Sequence, residues 1–154
     1  MATLTTNISE SVVLNGSQVG GNSTVTHSDI TEVFKRTVTC IHSQTTILQN
    51  LGAAVGNDTS ITVPTLDSGN VRYIRITNLS STLDIELAIV GATNYQITLL
   101  SGQSHILGRA DVAILAEADA SPSFGTMAAI TSIQARPTAS TDVNVELFVA
   151  SVTG

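Results

Sequence analysis

Strict alternation of apolar and polar side chains is the sequence feature that most constrains how this 154-residue chain folds. In residues 83–90 and 143–150, every residue at an odd position is Leu, Ile or Val. A period of two places these side chains on one face of a β-strand and the intervening residues on the other. Similar strand patterns cover residues 8–14, 32–41, 71–78 and 95–99. The chain is therefore expected to consist mainly of strands.

Short turn signals separate these segments at intervals of about ten residues, which is typical of antiparallel sandwiches and barrels. They lie around Asn78, Gly91, Gly102, Gly108 and Pro122. A chain of this length suits one domain. The sequence therefore predicts an all-β fold, an antiparallel β-sandwich of jelly-roll type, with an extended N-terminal arm or hairpin.

Two stretches are harder to interpret. Residues 109–120 fit either a short helix or a strand, because a short apolar run does not distinguish the two. Residues 52–60 are rich in turn formers and lead to Pro64, which suits a strand end or a sheet edge.

The N-terminal segment differs in composition from the rest. Residues 1–28 are predicted to form a strand and a Gly-rich arm or loop, and residues 29–154 the body of the sandwich. Val19 and Val25 are the large apolar residues of the segment 15–28. Such a segment suits an arm that lies on a neighbouring subunit or an ordinary flexible hairpin loop, and both interpretations stay open.

Charged residues make up 12% of the chain, about half the usual share, and the net charge is −6. A soluble monomer normally disperses charge over its surface, so this composition favours a subunit that hides surface in an assembly. The six basic residues form no cluster, and aromatic residues are scarce, which argues against nucleic acid as a partner. No apolar run is long enough for a membrane helix, so no membrane partner is expected. The start of the chain lacks the features of a secretion signal, which favours a cytoplasmic setting.

Residue patterns that carry chemistry are scarce. His27, Ser28 and Asp29 are the residue types of a catalytic triad, but triads are assembled from distant segments, so we expect no catalytic site and no enzyme. Cys40 is the single cysteine and lies two residues before His42, yet nothing in the spacing requires a metal. We therefore expect neither a cofactor nor a metal site.

Candidate protein-contact residues come from two places. Arg72, Tyr73 and Arg75 lie in one strand, and arginine and tyrosine are enriched at interfaces. One arginine is expected to pair with Asp84 or Glu86 on the following strand, in the manner of cross-strand partners. Simple strand pairing is the alternative role for all three. Val19 and Val25 of the N-terminal segment complete the set of candidate contact residues.

A resemblance rests on the order of three motifs. The strand Tyr73-Ile74-Arg75-Ile76-Thr77-Asn78 is followed by the strand 85–89 and then by Leu99-Leu100-Ser101-Gly102-Gln103-Ser104. This order, together with the opening segment 8–16, resembles small β-sandwich structural proteins of tailed bacteriophages, notably phages of marine cyanobacteria. The similarity covers about the first 110 residues, and no position in it carries chemistry.

The resemblance implies a virion component assembled in the host cytoplasm. The expected function is a capsid decoration, or cement, protein that binds the head shell and stabilises it. Its partners would be further copies of itself, in a closed oligomer such as a trimer, and the major capsid protein or other virion proteins. Two alternatives stay open: a tail- or fibre-associated subunit that contacts other virion proteins or the host, and a monomeric ligand-binding module.

Overall fold

A computed structural model describes residues 1–52, 65–116, 121 and 123–152, and in these ranges the chain forms thirteen β-strands. The all-β expectation is confirmed for this part of the chain. The strands are β1 (Ala2–Ser9), β2 (Val12–Leu14), β3 (Ser17–Val19), β4 (Asn22–Ile30), β5 (Glu32–Cys40), β6 (Thr46–Gly52), β7 (Thr65–Asp67), β8 (Val71–Asn78), β9 (Ile85–Gly91), β10 (Asn94–Leu99), β11 (Ser104–Leu107), β12 (Ile130–Pro137) and β13 (Val143–Ser151).

No helix occurs in the described ranges, so none of them offers a helix long and apolar enough to cross a membrane. In the stretch with two interpretations, residues 111–112 form a turn and Ile114 makes an isolated antiparallel bridge with Ala128. Residues 109–116 are therefore neither a helix nor a continuous strand. Residues 117–120 lie outside the description, as do residues 53–64, which include most of the turn-rich span and Pro64.

Two larger sheets form the body of the protein. One has five strands in the order β10-β9-β12-β6-β7, and the other has four in the order β11-β8-β13-β5. Neighbouring strands are antiparallel except for the short parallel pair β6 and β7. Strands that pair are often far apart in sequence: β13 lies between β5 and β8.

The core lies where the buried faces of the two sheets contribute to one hydrophobic cluster. It consists mainly of Ile, Leu and Val, including Ile76 of β8, Ile89 of β9 and Leu147 of β13, all fully buried. Full burial of each such side chain contributes about 1.5–3 kcal/mol. The alternating residues that predicted strands at 83–90 and 143–150 supply this cluster, because their odd-numbered positions face inward.

Strand β8 contains an irregularity at Arg72. Consecutive residues Ala150 and Ser151 of β13 lie opposite Tyr73 and Val71, so Arg72 is the extra residue of a β-bulge. Val71 consequently belongs to the hydrophobic core together with Ile74. Without the bulge, regular alternation would place Val71 and Ile74 on different faces of β8. The Arg72 guanidinium donates to the backbone carbonyl oxygens of Gly69 and Val71, at 2.7 and 3.2 Å.

Asn78, at the end of β8, ties two loops to the body. Its fully buried amide group donates to the carbonyl oxygens of Leu83, Leu99 and Leu100, at 2.8, 3.2 and 3.2 Å. The backbone N–H of Asn78 donates to the carbonyl oxygen of Gln103 at 2.9 Å. Asn78 therefore connects the Tyr73–Asn78 and Leu99–Ser104 motifs by hydrogen bonds.

Candidate interaction surface

Residues 2–30 form one long hairpin outside the two main sheets. Strand β1 pairs with β4, and β2 pairs with β3, in a single continuous register from Leu4 opposite His27 to Leu14 opposite Ser17. Asn15 and Gly16 make the tip, and both have positive φ, at 51° and 80°. Two such residues form the turn that matches the twist of paired strands. The segment 15–28, expected to be a loop or arm, is thus the tip and returning strand of a hairpin.

The register separates the hairpin into two chemically different faces. Directly opposed residues of an antiparallel pair share a face. We call one side the apolar face; it carries Leu4, Thr6, Ile8, Glu10, Val12, Leu14, Ser17, Val19, Gly21, Ser23, Val25 and His27. The opposite side is polar except for Val13, and its hydroxyl and amide groups include the pair of Thr24 and Asn7, whose side chains hydrogen-bond at 2.8 Å. The hairpin is therefore amphipathic.

Beyond its root the apolar face is uncovered. Val12 and Val19, which lie opposite each other, are 54% and 53% exposed, and Ile8, Leu14 and Val25 are similarly open. A two-stranded hairpin is at best marginally stable in water without a third element against it. This surface is thus suited to contact with another molecule.

Gly20 fits the hairpin because the opposite strand comes very close to it. A Cβ atom at this position would lie 2.1 Å from the Glu10 carbonyl oxygen, whereas one at Gly21 would meet no atom within 4 Å. The close approach accompanies two backbone hydrogen bonds between Glu10 and Gly21, at 2.9 and 3.2 Å. Glycine at position 20 therefore preserves the register across the middle of the hairpin.

The root of the hairpin packs on the outer side of the four-stranded sheet. Ile30, Tyr73 and Ala150 are buried together, and Leu4, Phe148 and Val152 pack around them. The Tyr73 ring lies 6.1 Å from the His27 ring and 6.0 Å from the Phe148 ring, edge-on to the latter. Aromatic pairs at this separation and angle are favourable. Leu4 and His27 belong to the apolar face, so this face already contacts the body at its root.

A β-bulge sets the direction in which the hairpin leaves the root. Between the pairs Ala2–Ile30 and Leu4–His27, the strand β4 has one residue more than β1. Asp29 lies in this bulge with φ 61°, a conformation that Asp tolerates better than most residues. Bulges bend the strand that contains them, so the bulge redirects the projecting part of the hairpin.

The outer sheet face is the exposed side of the four-stranded sheet next to the root. One row of side chains crosses it from β5 through β13 and β8 to β11, and each residue lies opposite the next. In this order the row is Lys35, Phe148, Arg75 and Ile106. The Glu146 carboxylate binds both cations, with Lys35 Nζ at 3.1 Å and Arg75 Nη2 at 2.5 Å. The Lys35 ammonium, and with it the Arg75 guanidinium, holds the pKa of Glu146 below its usual value. Two cations thus share one carboxylate on this surface.

The five candidate contact residues lie around this hairpin and its root. Val19 and Val25 are both on the apolar face. Tyr73 is buried under the hairpin root, so its contacts are made within the chain, and Arg72 caps the bulge of β8. Arg75 lies over the Phe148 ring, 5.6 Å from its centroid. Its carboxylate partner is Glu146 of β13, while Glu86 pairs with Arg136, so the expected partners Asp84 and Glu86 were wrong for Arg75.

Sequence reasoning missed the residues that complete this surface. Phe148 and Glu146 lie on the neighbouring strand β13, and no local sequence pattern indicates that β13 pairs with β8. Glu10 and Leu4 depend on the hairpin register, and here a signal existed. Asn15-Gly16 is a typical sequence for the two-residue turn of a β-hairpin, and the register of the flanking strands follows from it.

The residues considered as catalytic or metal-binding candidates each have their own contacts. Cys40 is fully buried in the core, and burial raises the pKa of its thiol to about 11. His42 lies in the turn after β5, where its ring Nδ1 and its backbone N–H contact Asp142 Oδ1 at 2.8 and 2.9 Å. Ser28 donates to Asp29, and the His27 ring faces Tyr73. Among the described residues, no three metal-ligating side chains of the His, Cys, Asp or Glu type come together.

An open apolar recess of about 400 Å³ lies beside the start of β10. Its walls include Tyr95, Ile114, Leu115, Phe124 and Met127. The Tyr95 hydroxyl lies 3.2 Å from Nε2 of His105, and burial raises the pKa of Tyr95 and lowers that of His105.

Comparisons of the chain with protein-family models, with curated proteins and with solved structures gave no match.

Proposed function

We propose that the protein is a non-enzymatic structural subunit of a virus particle that decorates the head shell and stabilises it. The uncovered apolar face of the N-terminal hairpin is the observation that carries this proposal. Residues 2–30 contain two acidic residues and no Lys or Arg, so the hairpin offers apolar and hydroxyl groups to a partner. The resemblance to phage structural proteins supplies the kind of particle.

In this proposal the body is a β-sandwich of jelly-roll type and the hairpin is its arm. The two sheets share one hydrophobic cluster, as the layers of a sandwich do. The chain also moves repeatedly between them: β5 is in one sheet, β6 and β7 are in the other, and β8 returns to the first. These features support the sandwich, and the projection of the hairpin supports the arm.

Attachment by such a protein rests on several weak contacts made at once. Each hairpin covers apolar side chains on a neighbouring subunit, and the major capsid protein provides repeated binding positions around a symmetry axis. Linked contacts of this kind raise the overall affinity by orders of magnitude over one contact alone. The shell gains stability because each bound subunit bridges capsid proteins that would otherwise separate independently.

The test uses the purified chain and emptied heads of a tailed cyanobacterial phage. We expect the chain to co-sediment with the heads, to add symmetric density in electron microscopy, and to raise the temperature at which the shells disassemble. A tip-less variant in which residues 8–23 are replaced by Asn-Gly is the matched control, and it is expected to lose binding. Heads that neither bind the chain nor gain stability contradict the decoration function.

Separated tails in the same experiment test the second candidate function, a tail- or fibre-associated subunit. The third candidate, a monomeric ligand-binding module, is favoured by the apolar recess near Tyr95. Ligand pockets are concave and mostly apolar with a few polar groups, as this recess is. A chain that binds neither heads nor tails but binds a fluorescent apolar dye, with dye binding lost in Ile114→Ser and kept in the tip-less variant, would favour that module over the decoration protein.

A further inference from the structure

We propose that the apolar face of the hairpin in one copy of this protein binds the outer sheet face of a second copy. The occupant of the uncovered hairpin face is thus another molecule of the same chain, and the contact is heterologous. This inference deepens the proposed structural function, because it names the partner that the hairpin contacts first, and it stands on separate observations.

The first observation is that the apolar face of the hairpin already contacts the four-stranded sheet of its own chain. At the root, Leu4 of the apolar face packs on the buried cluster of Ile30, Tyr73 and Ala150, and Phe148 of the outer sheet face packs on the same cluster. The His27 ring lies 6.1 Å from the Tyr73 ring. This intrachain contact joins the two surfaces that the proposal brings together between chains. The projecting part of the hairpin repeats the chemistry of Leu4 with Ile8, Val12 and Val19 on the same face.

Charge complementarity is the second observation. Glu10 is the one acidic residue on the apolar face, where it lies opposite Gly21. A carboxylate covered by a partner needs a cation or a donor there. On the outer sheet face, Lys35 and Arg75 share the single carboxylate of Glu146, and Lys35 is more than half exposed. This face can therefore supply a cation to Glu10 from a neighbouring copy.

Reach is the third observation. From the Leu4–His27 pair to the Leu14–Ser17 pair the hairpin advances ten residues, or about 34 Å at the usual rise of a strand. The outer sheet face is crossed by strands of eight and nine residues, β8 and β13. The hairpin is long enough to span such a face on a neighbouring molecule. Heterologous contacts of this kind close into rings when the rotation between copies permits.

The first experiment measures the mass of the purified chain by light scattering on a sizing column over a range of concentrations. We expect an oligomer whose dissociation constant rises at least about tenfold in Val12→Ser. The matched control is Val13→Ser, the same change at the next residue, whose side chain is 70% exposed on the opposite face. We expect that change to be less than about twofold. Equal effects at the two positions, or a monomer at every concentration, would overturn the inference.

Charge reversal identifies the surface that receives the hairpin. Glu10→Lys and Lys35→Glu are each expected to weaken the oligomer, and the double variant is expected to recover at least half of the lost affinity. Circular dichroism checks that each variant is folded. Single variants that weaken the oligomer without recovery in the double variant place the hairpin on a different surface, which contradicts the proposal.

The outcomes separate this inference from the proposed function. A ring that fails to bind emptied heads retains the contact between copies and removes the decoration function. A monomer that binds heads through its hairpin retains the function and overturns the contact between copies.

Discussion

The hairpin and the body use the same alternation of apolar and polar residues in opposite ways. In the body, Leu147 and its neighbours on β13 face a second sheet and are fully buried. In the hairpin, Leu14 and its neighbours lie on a face that is exposed in the described part of the chain. Alternation therefore predicts that a segment is a strand, but it does not reveal whether the same chain covers the apolar side.

The largest expected difference comes from one substitution made in both regions. Leu147→Ala leaves a cavity in the core and is expected to reduce the free energy of unfolding by about 2–5 kcal/mol. Leu14→Ala removes a side chain that is mostly exposed, so the change in the monomer is expected to stay within about 0.5 kcal/mol. Urea unfolding at a concentration below that of any self-association measures both. A large loss in Leu14→Ala would mean that the hairpin is covered even in the monomer.

The second comparison concerns asparagines. Asn78→Ala removes three hydrogen bonds to backbone carbonyl groups in the body and is expected to cost about 1–3 kcal/mol. Asn7→Ala in the hairpin removes one exposed hydrogen bond to Thr24 and should change the stability by less than about 0.5 kcal/mol. Thermal unfolding followed by circular dichroism compares the two variants. Similar losses of stability in the two variants would contradict the role of Asn78 in connecting these loops to the body.

Glycine substitutions test whether the hairpin opens separately from the body. In Gly20→Ala the new methyl group meets the Glu10 carbonyl oxygen, so the hairpin amides are expected to lose protection from hydrogen exchange while the body keeps it. Gly21→Ala has open space around the new methyl group and serves as the control. Gly91→Ala meets Ile114 and the Ala129 carbonyl oxygen, and it should destabilise the body. A loss of protection throughout the body in Gly20→Ala would show that the regions unfold together.

The smallest effect is a dependence on pH that belongs to the body. Burial lowers the pKa of His105, so the unfolded chain binds a proton more readily than the folded one. The resulting stability is fully present above the ordinary histidine pKa of 6.5 and is lost as pH falls below it. The melting temperature is therefore expected to fall between pH 7 and pH 5. His105→Gln should flatten this slope, and an unchanged slope would assign it to other groups.

The all-β fold class could be predicted from the sequence because local residue patterns indicate which segments form strands. The strand at 71–78 was predicted because it is rich in β-branched and aromatic residues, and the strand at 143–150 because its apolar residues alternate with other residues. The partner of Arg75 was not predictable, since Glu146 lies 71 residues away on a strand that only the tertiary fold places beside β8. Pairing between distant strands depends on the packing of the whole domain, which a local pattern does not contain.

The hairpin could have been predicted more fully. Asn15-Gly16 fixes the turn, and counting back from it gives the register as far as Leu4. What the sequence could not give is the bulge at Asp29, which separates the root from the projecting part. Bulges arise where the backbone must change direction to meet another part of the structure, so their positions follow from the tertiary fold.

Every strand of the hairpin is also an edge strand, because each pairs with one other strand. Beyond its root, each of its strands has a row of backbone N–H and carbonyl groups on its outer side that the other strand does not satisfy. Such rows are templates for adding further strands, and charged side chains are the usual protection against it. Residues 2–30 contain no Lys or Arg and two acidic residues, Glu10 and Asp29, so this protection is sparse. A molecule separated from its partners is therefore exposed to fibrous aggregation that starts from this segment.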